Sequence, residues 1–467
     1  MSRPSTAPDV VEKALATAQA SPAHAGTCVV VREESGVNLR WAANTLTTNG
    51  VTSGQSVTVA AAVRTAAGVS VGVLTRRGVG ADDVAALVED AQAAAATAPP
   101  AEDAADLVTG QTGPDWMEPA PATGPDVLAG FAEGLGEALA RARGQGRELF
   151  GFAEHGVRTT WLGTTAGTRR RHVQPQGTVE LTGKSHDRAR STYVGRATRD
   201  FTDVDAAALD AEIEQRLAWQ ARRVDVPAGR YDTVLPPTAV ADLMVYAYWS
   251  SDARSAHEGR SVFSRRGGGT RVGDRLTDVP LTLYSDPAEP GLETEPFVLT
   301  EASSPFASGF DNGMPVGRST WIEDGVLAAL PTTRHTAALT GLPVQPAVDN
   351  LVLTGRDASG DLADVVRGVD RGLLVTCLWY IREVDPTTLL LTGLTRDGVY
   401  LVEGGEVTGA VTNFRFNESP VGMLGRVGAV GRTEPALSRE WGDYFPRTAM
   451  PPLLVHDLNM SSTSQAS

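Results

Sequence analysis

Residues Pro227–Met244 read PAGRYDTVLPPTAVADLM. The pair Pro236–Pro237 ends what precedes it and opens a helix, since proline suits the first helical turn. From there Val240, Leu243, Met244, Ala247 and Tyr248 recur at i, i+3, i+4, i+7 and i+8, one apolar helical stripe. The pattern lets this helix carry straight into His257. Beyond it, strands and turns dominate as far as His456, so the unit that begins near residue 224 reads as β-rich.

Upstream, residues 9–20 predict a short helix. Four strand-like runs follow: TCVVVRE, GVNLRWA, SVTVAAAVR and GVSVGVLTR, the last two split by TAAG, a hairpin turn. ADDVAALVEDAQAAAATA predicts a helix with Asp82 or Asp83 as its N-cap. Residues 97–125 are rich in Pro, Ala, Gly and Asp and read as a linker. The next unit opens on a helix with Phe131, Leu135 and Leu139 on one face. It runs through RELFGFAEHGV, TTWLGTT, TRRRHVQ and GTVELTG, a meander and not βαβ units, and closes on a helix striped with Leu209, Ile213 and Leu217. The polar tail predicts disorder. The division is therefore 1–96, a linker 97–125, 126–223, 224–458 and a tail 459–467. The fold class is α+β, with an N-terminal α/β portion followed by a larger β-rich C-terminal portion.

The 467 residues are 42% apolar and 21% charged, ordinary for a globular protein. A net charge of −15 disfavours broad contact with nucleic-acid phosphate. The two cysteines, Cys28 and Cys377, sit in apolar runs and read as buried thiols of a reducing compartment. The N-terminal stretch has no signal-peptide core, and the longest apolar region, VTVAAAVRTAAGVSVGVL, is broken by Arg64. A cytoplasmic protein without a membrane span is expected.

The chemistry turns on Ser255–Gly269, SAHEGRSVFSRRGGG. His257 followed by Glu258 opens like a zinc-protease motif, in which a second histidine one helical turn later completes the grip and the glutamate polarises water. Four and five residues after His257 stand Ser261 and Val262, which bind zinc poorly, and the next histidines are His335 and His456. A polar pair at a helix end is the plainer reading. RRGGG lacks GxGxxG spacing and reads as a loop. GTVELTGKS, Gly177–Ser185, alternates as a strand does and is no phosphate cradle. In TRRRHV, Thr168–Val173, Arg169 and Arg171 would share one face of a solvated strand and Arg170 and His172 the other. No GxSxG elbow occurs, Cys377 has no basic neighbour, and the role of His155 is open.

The order of several segments goes further. These are LRWAANTLTTNGV, GVLTRRGVGADDVAALV, PAGRYDTVLPPTAVADLM, FDNGMPVGRSTWIEDGVLAAL (Phe310–Leu330), RGLLVT and TRDGVYLVEGGEVTGAV (Thr395–Val411). Together they resemble the TldD/PmbA family, once described as modulators of DNA gyrase and regarded as a two-subunit metalloprotease. Its TldD branch carries HExxxH and a downstream cysteine as zinc ligands; its TldE (PmbA) branch does not. Val262 stands where the second histidine would, and no cysteine follows Cys377. The resemblance thus implies a TldE-like chain with no catalytic residue and no metal ligand of its own, His257 and Glu258 being a degenerate remnant. It implies zinc on a TldD-like partner, a heterodimer, and an unfolded peptide held between the subunits, with strand edges of the C-terminal domain available for backbone pairing. No peptide-binding residue is identified. Two other readings stay open. One is a stand-alone hydrolase in which His155, His257 and His335 converge; the other is a non-proteolytic regulatory protein of the gyrase-modulator type.

Overall fold

The computed structural model describes residues 5–464. The N-terminal half builds one six-stranded antiparallel sheet from β1 (His24–Ala42), β2 (Thr45–Thr65), β3 (Gly68–Arg77), β4 (Arg147–Thr164), β5 (Arg169–Ser185) and β6 (Arg190–Thr198). Their order is β3-β2-β1-β4-β5-β6. Odd-numbered residues of β1 face four helices. Val29 and Val31 share a core with α1 (Ala7–Gln19) and α2 (Val84–Thr97). Val37, Leu39 and Trp41 share one with α3 (Ala129–Gly144) and α4 (Ala206–Trp219). The even-numbered Cys28 and Val30 face the other way and, with Leu162, meet Phe297 of the C-terminal part. Side chains reverse at each residue of a strand, so one run serves two interfaces. Thr6 caps α1 through a reciprocal box with Asp9, while Asp83 occupies the N-cap of α2 without a side-chain cap bond.

Residues 97–125 do not separate two sheets, because β1 pairs with β4 from Cys28↔Thr164 to Trp41↔Gly151. They form a strap. Trp161 Nε1 donates to the Trp116 carbonyl at 3.1 Å, Thr168 Oγ1 to the Val108 carbonyl at 2.7 Å, and Arg171 Nη2 to the Pro119 carbonyl at 2.8 Å. Arg169 also pairs with Glu12 at 2.6 Å and Arg171 with Asp115 at 3.4 Å. The expected solvated face of TRRRHV is thus occupied in holding the strap.

The C-terminal part wraps α5 (Pro237–Trp249) between a ten-stranded and a six-stranded sheet. Val240, Leu243, Met244 and Ala247 share a core with Leu373, Val375, Phe414 and Phe416 of the first, and with Leu283, Trp321 and Leu353 of the second. A helix apolar on nearly every side is stable only inside such a core. Strands Gly229–Leu235 and Leu453–Ser464 pair antiparallel, so the beginning and end of this part lie side by side. The whole is α+β, and no helix among the described residues is long and apolar enough to cross a membrane.

Several elements differ from their sequence reading. TCVVVRE and GVNLRWA fuse into β1, RELFGFAEHGV and TTWLGTT into β4, and TRRRHVQ and GTVELTG into β5. Gly36 and Gly156 sit opposite each other within the ladder and open no turn. The helix from Pro237 stops at Trp249; Asp252 accepts from the Ser255 N–H at 2.7 Å and caps a separate α6 (Ala253–His257). The tail expected to be disordered from 459 is strand as far as Ser464, with Asn413↔Ser464 and Phe414↔Thr463 in register. Hydroxyl residues pair well once a neighbouring strand supplies the ladder. Residues 1–4 of the first predicted segment and 465–467 of the tail lie outside the described residues.

Gly151 packs against the Trp41 ring and the Glu180 carbonyl with no room for a Cβ, whereas Gly156 on the same strand has the Ser35 carbonyl nearest, at 3.6 Å. Gly151→Ala is expected to cost about 3 kcal/mol by overpacking, and Gly156→Ala under about 1 kcal/mol. Urea midpoints of the two variants check this.

Candidate functional site

Helix α6 ends at His257, so the zinc-like pair sits at a helix C-terminus. Only continued helix would bring the residue four positions on, Ser261, back to the same face. Instead the chain turns at Gly259, at φ +79°. Ser261 donates its N–H to Ser264 Oγ at 3.1 Å and its Oγ accepts the Phe263 N–H at 3.2 Å. Val262 packs against the main core. Glu258 accepts from Arg254 Nε at 3.0 Å and from Arg260 Nε at 2.9 Å. Those hydrogen bonds, Arg254's first, hold its carboxyl below the usual range. A carboxylate so paired is a poor proton acceptor near neutral pH. The pair lines a cleft of about 1120 Å³ with Arg265, Arg271, Asp274, Thr388 and Ser419.

The other histidines do not join it. His155 is buried, with Nδ1 at 2.7 Å from Thr123 Oγ1 and Nε2 at 2.9 Å from the Arg199 carbonyl, which gives it an anchoring role. His335 lines a separate cavity of about 480 Å³ with Cys28 and Glu102. His456 lies 3.0 Å from Asp232. Among the described residues no three His, Cys, Asp or Glu side chains form a group that could hold a metal. The surroundings of His257 do not fit a zinc ion: they offer one imidazole and two carboxylates already committed to arginines, Glu258 to Arg254 and Arg260 and Asp274 to Arg265 and Arg271. Both cysteines are buried free thiols; burial pushes Cys28 up to about 12 and raises Cys377 as well, so neither is a ready nucleophile.

The most perturbed carboxylate was not among the sequence candidates. Asp242 lies fully buried within α5. Its Oδ1 accepts from Ser438 Oγ at 2.6 Å and from the Glu440 N–H at 2.8 Å, and its carbonyl accepts from Trp441 Nε1 at 2.9 Å. Oδ2 has no hydrogen-bond partner. Burial is the main cause that pushes its pKa up to about 7. Glu440 in turn accepts the N–H groups of Tyr380 at 2.9 Å and Ile381 at 3.1 Å, and Tyr380 stands at φ +54°, a costly conformation for a bulky residue. Arg439 lies between the rings of Tyr193 on β6, at 4.3 Å, and Trp379, at 4.4 Å, and pairs with Glu180 of β5 at 3.3 Å. Asp242 therefore sets residues 438–441, which fasten the C-terminal part to the N-terminal sheet. The signal was available: Asp242 is the sole charged residue in PTAVADLMVYAYW, and a carboxylate there must be neutral or partnered.

This carboxyl makes stability fall with rising pH. The folded state keeps a proton that the unfolded chain releases near 3.8, so the contribution is fully present below that pH and is lost as pH rises to about 7. Asp242→Asn keeps an acceptor for Ser438 and Glu440 and removes the titration. The variant is expected to show a flatter dependence of Tm on pH between those limits than the parent.

A profile of the PmbA/TldA metallopeptidase C-terminal domain matches residues 228–462. No curated protein matches the chain at the sequence level. Among solved structures, TldE from Thermococcus kodakarensis superposes with a TM-score of 0.73 at 16% identity, over 97% of this chain and 98% of that one. A proposed modulator of a DNA gyrase from Thermotoga maritima gives 0.75 at 16%, over 96% and 98%. Another, from Bacteroides thetaiotaomicron, gives 0.73 at 14%, over 97% and 98%. At these identities the three structures share the fold. The profile match, over half of the chain, carries the relationship, and the chain belongs to the TldD/PmbA metallopeptidase family.

Proposed function

We propose that this chain is a non-catalytic, TldE-like subunit of a cytoplasmic two-subunit metalloprotease that processes unfolded peptides. The observation that carries the reading is the state of the His257–Glu258 pair. The helix stops at His257, Glu258 is held by Arg254 and Arg260, and Ser261 and Val262 stand where another ligand would be needed. In a metallopeptidase family, that arrangement leaves the zinc chemistry to a second, TldD-like chain, and leaves this one to supply walls for the peptide. Two structural neighbours are named as proposed modulators of DNA gyrase, but a net charge of −15 argues against direct binding of this chain to DNA.

The test is co-expression with a TldD-like protein from the same genome and purification through a tag on this chain. The expected product is a stable heterodimer that holds about one zinc ion per pair and cleaves an unfolded peptide, while this chain alone is inert. His257→Ala within the pair should leave zinc content and cleavage unchanged. Stoichiometric zinc and cleavage by this chain alone would overturn the reading.

A further inference from the structure

The sheet face turned away from α1 and α2 is filled in one place and hollow beside it. Val30 and Leu162 fill it by meeting Phe297. Next to them Cys28 lies opposite Ala60, Ala60 opposite Val73, and Ala62 opposite Val71. The short alanines leave this part of the face low. A cavity of about 480 Å³ lies between it and the covering segments 98–107 and 301–310. That volume suits a small organic molecule. The cover is fastened by polar contacts. Ala101 of the strap donates its N–H to the Val69 carbonyl at 2.8 Å, Glu102 pairs with Arg254 at 2.6 Å, and Asp103 accepts from Ser308 Oγ. Arg334 Nη2 donates to the Asp106 carbonyl at 2.9 Å. A cover held in this way cannot settle onto the alanines, so the hollow is part of the fold.

The rim of the cavity is polar. Glu102 is balanced by Arg254 and Glu301 by Arg32. Asp103 pairs with no cation among the described residues; one of its oxygens takes the Ser308 hydroxyl and the other is uncommitted. His335 Nε2 is shielded from solvent and has no hydrogen-bond partner, with Glu102 Oε1 at 3.9 Å, beyond hydrogen-bond reach. A neutral imidazole keeps one acceptor nitrogen, and the hydroxyl oxygens of Ser303 and Ser304 add more at the same rim. An ammonium group brings what these groups lack: one positive charge and three N–H donors.

We propose that this cavity binds a small amphiphilic amine, its ammonium on Asp103 and its apolar body over Cys28, Ala60, Ala62, Val71 and Val73. A carboxylate would set its own charge against that of Asp103, and a neutral alcohol would leave that charge unpaired. The site does not depend on the subunit role proposed above, and its test uses this chain alone.

Isothermal titration of the full chain with phenylethylamine tests the proposal, alongside phenylethanol, phenylpropionate and ethylamine. Phenylethylamine is expected to saturate a single site. Phenylethanol, which lacks the charge, should bind at least about tenfold more weakly, and ethylamine, which lacks the apolar body, likewise at least about tenfold. Phenylpropionate should not bind. Asp103→Asn keeps an acceptor for Ser308 and should remove the preference for the amine over the alcohol. Ala60→Phe, at a half-buried position, fills the hollow and should abolish binding of both while Tm stays near that of the parent. If Ala60→Phe does not fold, the Asp103→Asn comparison still decides. No saturable binding, equal or tighter binding of the acid, or an unchanged amine preference in Asp103→Asn would overturn the proposal. Unchanged binding by a folded Ala60→Phe chain would place the amine elsewhere and overturn it too.

Discussion

The alternation of side chains along β1 is the constraint on which the other contacts hang. Val29, Val31, Val37, Leu39 and Trp41 point at four helices, while Cys28 and Val30 point at Phe297 of the C-terminal part. A slip of one residue would exchange the two sets and turn Arg40 under α3 in place of Trp41. The pairing with β4 fixes that register and joins chain segments on either side of the strap into one sheet. The strap can then be irregular in backbone and still well placed, because Trp161, Thr168 and Arg171 tie it to a sheet that is already ordered.

The second junction is polar. Asp242 is buried within an apolar helix, and its cost is offset by holding the Ser438 hydroxyl and the Glu440 amide. Through Arg439, packed between Tyr193 and Trp379, the same loop grips β5 and β6. An apolar contact at Phe297 and a charged one at Arg439 thus connect the two parts at separate places, which restrains their relative rotation more than either would alone.

The pair His257–Glu258 illustrates how local sequence misleads about chemistry. Its letters match the opening of a zinc motif, but a motif works only if the backbone remains helical through the next turn. Asp252 restarts the helix too late, and Gly259 ends it too early. The side chains are then used for ion pairs with their own neighbours. His155, read as open, is held by Thr123 and Arg199, and that role depends on residues far away in the chain.

Periodicity made the helix from Pro237, the helix pair α3 and α4, the hairpin between β2 and β3, and the α+β class legible, because these depend on contacts between near neighbours or on a face repeated every few residues. The weakness of the HE pair as a zinc site was also legible, since Ser261 and Val262 can be read directly. Other features were not: the fusion of short runs into long strands, the use of 97–125 as a strap, and the ordering of Asn459–Ser464 against Asn413–Glu418. Each depends on a partner strand or side chain distant in sequence. Local pattern determined which segments form helices and which extend; tertiary structure alone decided where strands end, which glycines turn, and that Ser438 and Glu440 would partner Asp242, because each outcome is set by what packs across from the residue.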